Sequence, residues 1–269
     1  MITIIGGAAL DVISQVSGEY IPENSNIGSI TMRMGGSSRN AAECLARLGC
    51  HFNFISAVGD DSKGQMIVDS LTSLGLKNCF QVKKGERSAC FNGFIDSLGN
   101  FKGGVADMKI LEEISIEHIS KHKIYDSQIL VLDGNLSPDC IKDIFAHLDA
   151  TKWPDHVILE PISYEKLLRI EPETLCQFTT IKLNEMHLEK LTDDPQKFLR
   201  DRQEKRIREF IVTRGENGVS YIDAEKVLDV PIEEKVPIKS VIGAGDSFMG
   251  GYLHALSNGM TKLDQLKFG

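Results

Sequence analysis

At 269 residues, with 42% hydrophobic and 25% charged residues, the chain is long enough for a large core and has the composition of an ordinary globular protein. A net charge of −8 and a pI near 5.4 argue against a general nucleic-acid binder, while leaving room for a local basic pocket. No apolar run approaches membrane-spanning length, and the six scattered cysteines contain no CxxC pair, so neither a membrane partner nor a zinc site is expected.

Residues 1–5 go straight into a buried-strand pattern, without the charged region and apolar core of a signal peptide. A cytoplasmic location with reduced thiols is therefore expected. Residues 12–34 are short, alternating and turn-rich, which predicts two antiparallel strands with a loop between them. Helical periodicity follows over 38–48, an apolar strand over 52–58 and a helix over 63–74. Residues 89–95 and 101–105 flank a turn-forming centre and read as a hairpin. The two hairpin-like insertions, near 12–34 and 88–105, predict a small second sheet lying as a lid over the main strands.

The alternation then resumes. Helices are predicted over 117–121, 138–148, 172–178, 186–191 and 195–208. Strands are predicted over 129–132, 157–159, 180–183 and 210–213, with a hairpin over 218–222 and 227–230. Alternating strands and helices imply a doubly wound, mostly parallel α/β sheet with helices on both faces. No linker or repeat interrupts it, so a single domain with its lid is expected over 1–269.

In such sheets ligands bind at the carboxyl ends of the strands. There the sequence collects Asp11, Gly35 and Gly36 with Asn40, Asp133, Glu160, Asn184, Thr213 with Gly215, and residues 243–246. The last group is the most informative. A short apolar run over 237–242 reaches Gly243-Ala244-Gly245, and Asp246 then opens a helix carrying Phe248, Leu253 and Leu256. Helix-start amides have no internal partner, and the helix dipole favours an anion there. One reading is phosphoryl transfer: the amides of Gly243, Ala244 and Gly245 hold developing charge, and Asp246 takes the proton of an attacking hydroxyl. The other reading is that Asp246 only caps its helix.

Several common chemistries lack their motifs. Gly6-Gly7-Ala8-Ala9 has no GxGxxG spacing, which removes a Rossmann-type oxidoreductase. Gly59 and Gly64 have P-loop spacing, but Gln65-Met66 stand where Lys-Ser/Thr is required. No HExxH or GxSxG is present.

Gly35-Gly36-Ser37-Ser38-Arg39-Asn40 resembles the first signature of the ribokinase-like, or PfkB, carbohydrate and nucleoside kinases, and Val241-Ile242-Gly243-Ala244-Gly245-Asp246 resembles the second. The Asp11 strand end and Thr213-Arg214-Gly215-Glu216-Asn217-Gly218 also fit, so the resemblance covers essentially the whole chain. It implies a phosphotransferase with an alcohol acceptor, using ATP, Mg2+ and K+. Asp246 would be the general base and Gly243, Ala244 and Gly245 the anion hole. Asp11, Gly35, Gly36 and Asn40 would hold sugar hydroxyls, and Asn184, Thr213, Gly215 and Gly218 would line the nucleotide site. Within the family the nearest resemblance is to the branch that phosphorylates the 5′-hydroxyl of pseudouridine. It is carried by Val105–Ile110, Asp133-Gly134-Asn135 and Glu160-Pro161-Ile162-Ser163-Tyr164-Glu165-Lys166. Lys166 is then a candidate contact to the base, set against a solvated helix lysine. Ribose, fructose and adenosine remain open as acceptors.

The chain departs from the family pattern in two places. The family's N-x-x-E motif, which organises the magnesium–phosphate network, is here Asn184-Glu185-Met186-His187, so Glu185 and Glu189 are the candidate metal ligands. The chain also stops at Gly269, whereas family members continue through helices that cover the adenine, so the ATP site is expected to be open on one side. These departures motivate a competing expectation: a kinase-fold protein that binds a nucleoside but is impaired in catalysis. Exposed sheet edges leave a homodimer through the lid open beside a monomer.

Overall fold

Apolar runs that alternate with amphipathic ones set the chain's architecture, described for residues 1–75, 79–233 and 243–269 of a computed structural model. The strands are β1 (Ile2–Ile5), β2 (Ala9–Val16), β3 (Gly28–Gly35), β4 (Phe52–Gly59), β5 (Cys79–Lys83), β6 (Cys90–Ile95), β7 (Phe101–Asp107), β8 (Ile129–Asp133), β9 (His156–Glu160), β10 (Thr180–Asn184), β11 (Glu209–Thr213), β12 (Val219–Asp223) and β13 (Val227–Val230). The helices are α1 (Ser37–Arg47), α2 (Ser62–Thr72), α3 (Lys109–Glu112), α4 (Ile116–Ser120), α5 (Pro138–Asp149), α6 (Tyr164–Leu168), α7 (Pro172–Leu175), α8 (Glu185–Leu191), α9 (Pro195–Arg200), α10 (Ala244–Ser257) and α11 (Lys262–Phe268). Their starts follow capping chemistry. Asp61 accepts from the Gly64 amide at the head of α2, and Ser137 accepts from the Cys140 amide at the head of α5, whose first position is Pro138.

Among the described residues the main sheet has the order β13-β12-β11-β10-β9-β8-β1-β4-β5. Its strands run parallel from β5 to β11, and β12 and β13 add an antiparallel edge. Side chains alternate across it. Ile4, Phe54, Val131, Ile158 and Ile211 join α1, α2 and α10 in one core. Ile5, Ile55, Leu132, Leu159 and Val212 join α5, α7 and α9 in the other. The doubly wound, mostly parallel sheet with helices on both faces is thus the architecture found. Strand order reverses between β1 and β8, which makes their carboxyl ends the topological switch point.

The second sheet has the order β3-β2-β6-β7, with β2 and β6 parallel and the outer pairs antiparallel. It joins the two insertions into the expected small sheet. By register, Asp11, Arg33 and Phe91 share one face, and Val12, Met32, Asn92 and Val105 share the other.

Some boundaries differ from expectation. The helix predicted over 195–208 ends at Arg200, because the amides of Arg206 and Ile207 both turn to the Cys176 carbonyl to feed β11. Strand β5 and helices α3 and α11 have no predicted counterpart, and of α6 only the alternative reading of Lys166 as a helix lysine anticipates it. The apolar run expected over 237–242 lies outside the described residues.

Candidate active site

The head of α10 is bare. Its N-cap is Gly243, held at φ 82°, and no side chain of the described residues caps it. A left-handed φ of this kind favours glycine. Asp246 is not the cap: its Oδ2 accepts from Asn40 Nδ2 at 2.8 Å. First-turn amides without a side-chain partner are a general feature of anion sites, and the Asp246 carboxylate stands in the same turn.

The Asn40 contact depends on how closely α1 and α10 pack. A Cβ on Gly250 would stand 2.5 Å from Cys44 Cβ, so only glycine permits this approach. Helix α1 begins after Gly36, whose own Cβ position lies 2.5 Å from the Gly7 carbonyl oxygen. Strand β2 brings Asp11 to the same place, and the missing side chain of Gly35 leaves room for its carboxylate. Burial lifts the Asp11 carboxyl above its ordinary range, the Asp246 charge lifts it further, and the Arg39 guanidinium opposes both.

The switch point supplies a second set of groups. Asp133, fully buried at the end of β8, accepts from the Gly7 amide at 2.6 Å and from Ser38 Oγ at 2.7 Å. It also accepts from the Asn135 amide at 2.8 Å, which ties the β1 turn, α1 and the β8 loop together. Lys166 Nζ donates to Asn135 Oδ1. Burial lowers the Lys166 ammonium below its ordinary range, against the pull of the Asp133 charge. Ile162, in the turn before α6, has φ 66°, a costly conformation for a β-branched residue. Lys166 is therefore half-buried and engaged rather than a freely solvated helix lysine.

Lys182, inside β10, was missed in the sequence. It pairs with Glu160 at 2.9 Å, and both side chains are nearly buried. Burial raises the Glu160 carboxyl, Lys182 pulls it down, and the charges of Asp246 and Asp133 add to the rise. A Cβ on Gly245 would lie 3.1 Å from Lys182 Nζ, so this cation stands beside the glycine-rich turn. A charged residue in an otherwise apolar strand, two before Asn184, is the signal that could have found it.

At the next strand ends, Asn184 and Thr213 are neighbours in register. Asn184 caps α8 by accepting from the His187 amide at 2.8 Å. His187 is buried, and that burial lowers its imidazole below the ordinary value. Gly215 and Gly218 bracket a tight turn at φ 56° and 89°, closed by the Arg214 amide donating to the Gly218 carbonyl at 2.8 Å. Glu185 is paired with Arg214, and Glu189 is exposed. Among the described residues no cluster of three or more His, Cys, Asp or Glu side chains gathers to hold a metal. The structure thus brings Asp11, Asn40 and Asp246 together, sets Lys166 at the Asp133–Asn135 group, and does not join Glu185 to Glu189.

The chain matches the pfkB family carbohydrate kinases over residues 1–269. It is 28% identical to the pseudouridine kinase of Escherichia coli (strain K12), over 99% of this chain and 87% of that protein. It is 24% identical to the guanosine-inosine kinase of Exiguobacterium acetylicum, over 100% of this chain and 91% of that one. The solved structure of a carbohydrate kinase from Agrobacterium tumefaciens superposes with a TM-score of 0.84 at 24% identity, over 99% of this chain and 87% of that one. No helix among the described residues is long and apolar enough to cross a membrane.

Proposed function

From the premise that this chain belongs to the pfkB family of carbohydrate kinases, we propose that it phosphorylates the 5′-hydroxyl of a nucleoside with ATP, and that the nucleoside is pseudouridine. The carrying observation is the Asn40–Asp246 hydrogen bond at the uncapped head of α10, with Asp11 alongside. Asp246 takes the hydroxyl proton as the oxygen attacks, and the amides of Gly243, Ala244 and Gly245 face the charge on the transferred group. Asn40 and Asp11 offer a donor and an acceptor suited to a vicinal diol. Gly35 and Gly36 let the backbone approach the sugar. Lys166 and Asn135 present a donor and an amide to a base whose edge carries both carbonyls and N–H groups.

Asn184, Thr213, Gly215 and Gly218 line the nucleotide side. Bare amides beside the Lys182 cation fit a phosphate chain. Mg2+ keeps waters and rides on phosphate oxygens with one or two carboxylates, so it needs no protein cage; Glu185 and Glu189 are the acids nearest Asn184 in sequence. When bound, the ion neutralises phosphate charge.

A second reading rests on His187. Its burial, and the commitment of Glu185 to Arg214, favour a nucleoside-binding protein of weak catalysis. ADP release with Mg-ATP across pseudouridine, uridine, adenosine, ribose and fructose separates the readings. Release with pseudouridine alone is expected. Release with another acceptor keeps the chemistry and discards the substrate, and calorimetric binding without release supports the second reading. Asp246→Asn should lose roughly a hundred- to ten-thousand-fold in turnover while still binding the acceptor; near-normal turnover would sink the role of Asp246.

A further inference from the structure

Asn40 has two unlike ends on one flat amide. Its Nδ2 donates to Asp246, while its Oδ1 accepts from Arg39 Nη1 at 3.3 Å. Arg39 is an odd occupant of that place. The residue is 7% exposed on a helix face otherwise filled by Ser38, Ala41, Ala42 and Leu45. Its guanidinium also pairs with Glu43, which pairs in turn with Arg47. Burial alone would raise the Glu43 carboxyl; the Arg47 hydrogen bond and the charges of Arg39 and Arg47 outweigh it and hold it low. Arg39 Nε is buried with no hydrogen-bond partner among the described residues. An unmade bond on a buried donor is destabilising, so packing does not account for the residue.

We infer that Arg39 is a positioning residue for phosphoryl transfer: it fixes the Asn40 amide with its NH2 toward Asp246 and sets its positive charge beside that pair. The inference rests on Asp246 being the base. Without Arg39 the amide is free to turn its oxygen toward the Asp246 carboxylate, setting acceptor against acceptor. The charges around this point come from several elements: Arg39 and Glu43 on α1, Asp11 on β2, Asp133 on β8, Glu160 on β9 and Lys182 on β10. Arg39 is the cation among them that acts on Asp11. Lys182 is committed to Glu160.

The test uses Arg39→Met and Arg39→Gln in the full chain, with Mg-ATP and pseudouridine or whichever acceptor the panel selects. Circular dichroism checks that each variant folds. Arg39→Met should lower kcat roughly tenfold to a hundredfold, the scale of a misplaced reacting group. The acidic limb of its kcat/KM profile should move to higher pH, because Asp11 loses the charge that opposes its rise. Arg39→Gln keeps a donor for Asn40 without the charge, so its limb should move while most of kcat survives. Arg39→Met added to Asn40→Ala should cost little further in kcat at a pH above the acidic limb, since the positioning acts through Asn40, while the limb should still move. A merely structural role would reduce the folded fraction without moving the pH limb. An unmoved limb and wild-type kcat in folded Arg39→Met, with Asp246→Asn inactive, would overturn this inference alone. Turnover in Asp246→Asn would instead overturn the reading beneath it.

Discussion

Lys182→Met removes the cation that faces Glu160 at 2.9 Å, where the two side chains are only 10% and 13% exposed. Taking away one partner of a buried pair leaves an uncompensated charge and costs roughly 3–5 kcal/mol. Whole domains have about 5–15 kcal/mol of stability, so this is a large share. For a chain of this size each kcal/mol moves Tm by about 2–4 °C, so a fall of roughly 6–20 °C is expected in thermal unfolding. The deficit should depend on pH. The Glu160 carboxyl is raised in the folded protein, so protonation favours the folded state and stability is gained as pH falls through the folded value. Losing Lys182 raises that value further, and the deficit should shrink as pH falls through it toward the ordinary carboxylate range.

Adding Glu160→Gln removes the stranded charge and should return most of the lost Tm. Turnover should not return with it. Lys182 Nζ stands beside Gly245, in the turn proposed as the anion hole, and in such sites loss of one group that stabilises developing anionic charge costs roughly a hundred- to a thousand-fold. Thermal unfolding and ADP release on the single and double variants read the two effects separately. A double variant that is stable and turns over at the wild-type rate would refute the reasoning, because Lys182 would then serve only to balance Glu160.

Lys166→Met should raise KM for the nucleoside by roughly tenfold or more, the loss of one charged hydrogen bond, while leaving any activity on free ribose unchanged; an equal loss on both would remove Lys166 from base recognition. The lid face bearing Ile30, Met32, Phe94 and Val105 is 68%, 61%, 45% and 72% exposed, a large apolar area for a monomer to leave in water. Light scattering should give the mass of a dimer, and Met32→Glu should return it to a monomer; a monomeric wild-type protein would end the expectation of a lid-mediated dimer.

The parts of the site that were legible in the sequence are those whose chemistry is local. Gly243, Ala244, Gly245 and Asp246 announce a turn into a helix, and Gly35 and Gly36 precede Asn40 in the same way. Strand ends were legible because apolar runs stop at Asp133, Glu160 and Asn184. The two readings of Asp246 could not be separated by spacing, since capping and proton transfer ask for the same residue at the same place; the Asn40 contact across the α1–α10 packing shows only that the side chain is not the cap. Lys182 was hidden for a related reason. A lysine in a strand is explained only by its neighbour in the sheet, and Glu160 lies on the adjacent strand, 22 residues earlier in sequence. Strand β5 is short and half-polar, and its place at the sheet edge comes from pairing with β4. The end of α9 at Arg200 follows from a carbonyl at Cys176, which no periodicity reports.

The parallel pairing of β2 with β6 bears on how the protein reaches its native state. The two strands come from separate excursions, so Asp11 meets Phe91 across most of the first hundred residues. Neither excursion can complete this sheet by local hairpin closure, and the loop entropy of joining them must be met first. Docking of β1, β4 and β5 shortens that search by bringing the bases of both excursions together. Refolding should therefore show the main sheet protected from hydrogen exchange before β2 and β6, with Asp11 among the last of the site residues to reach its place.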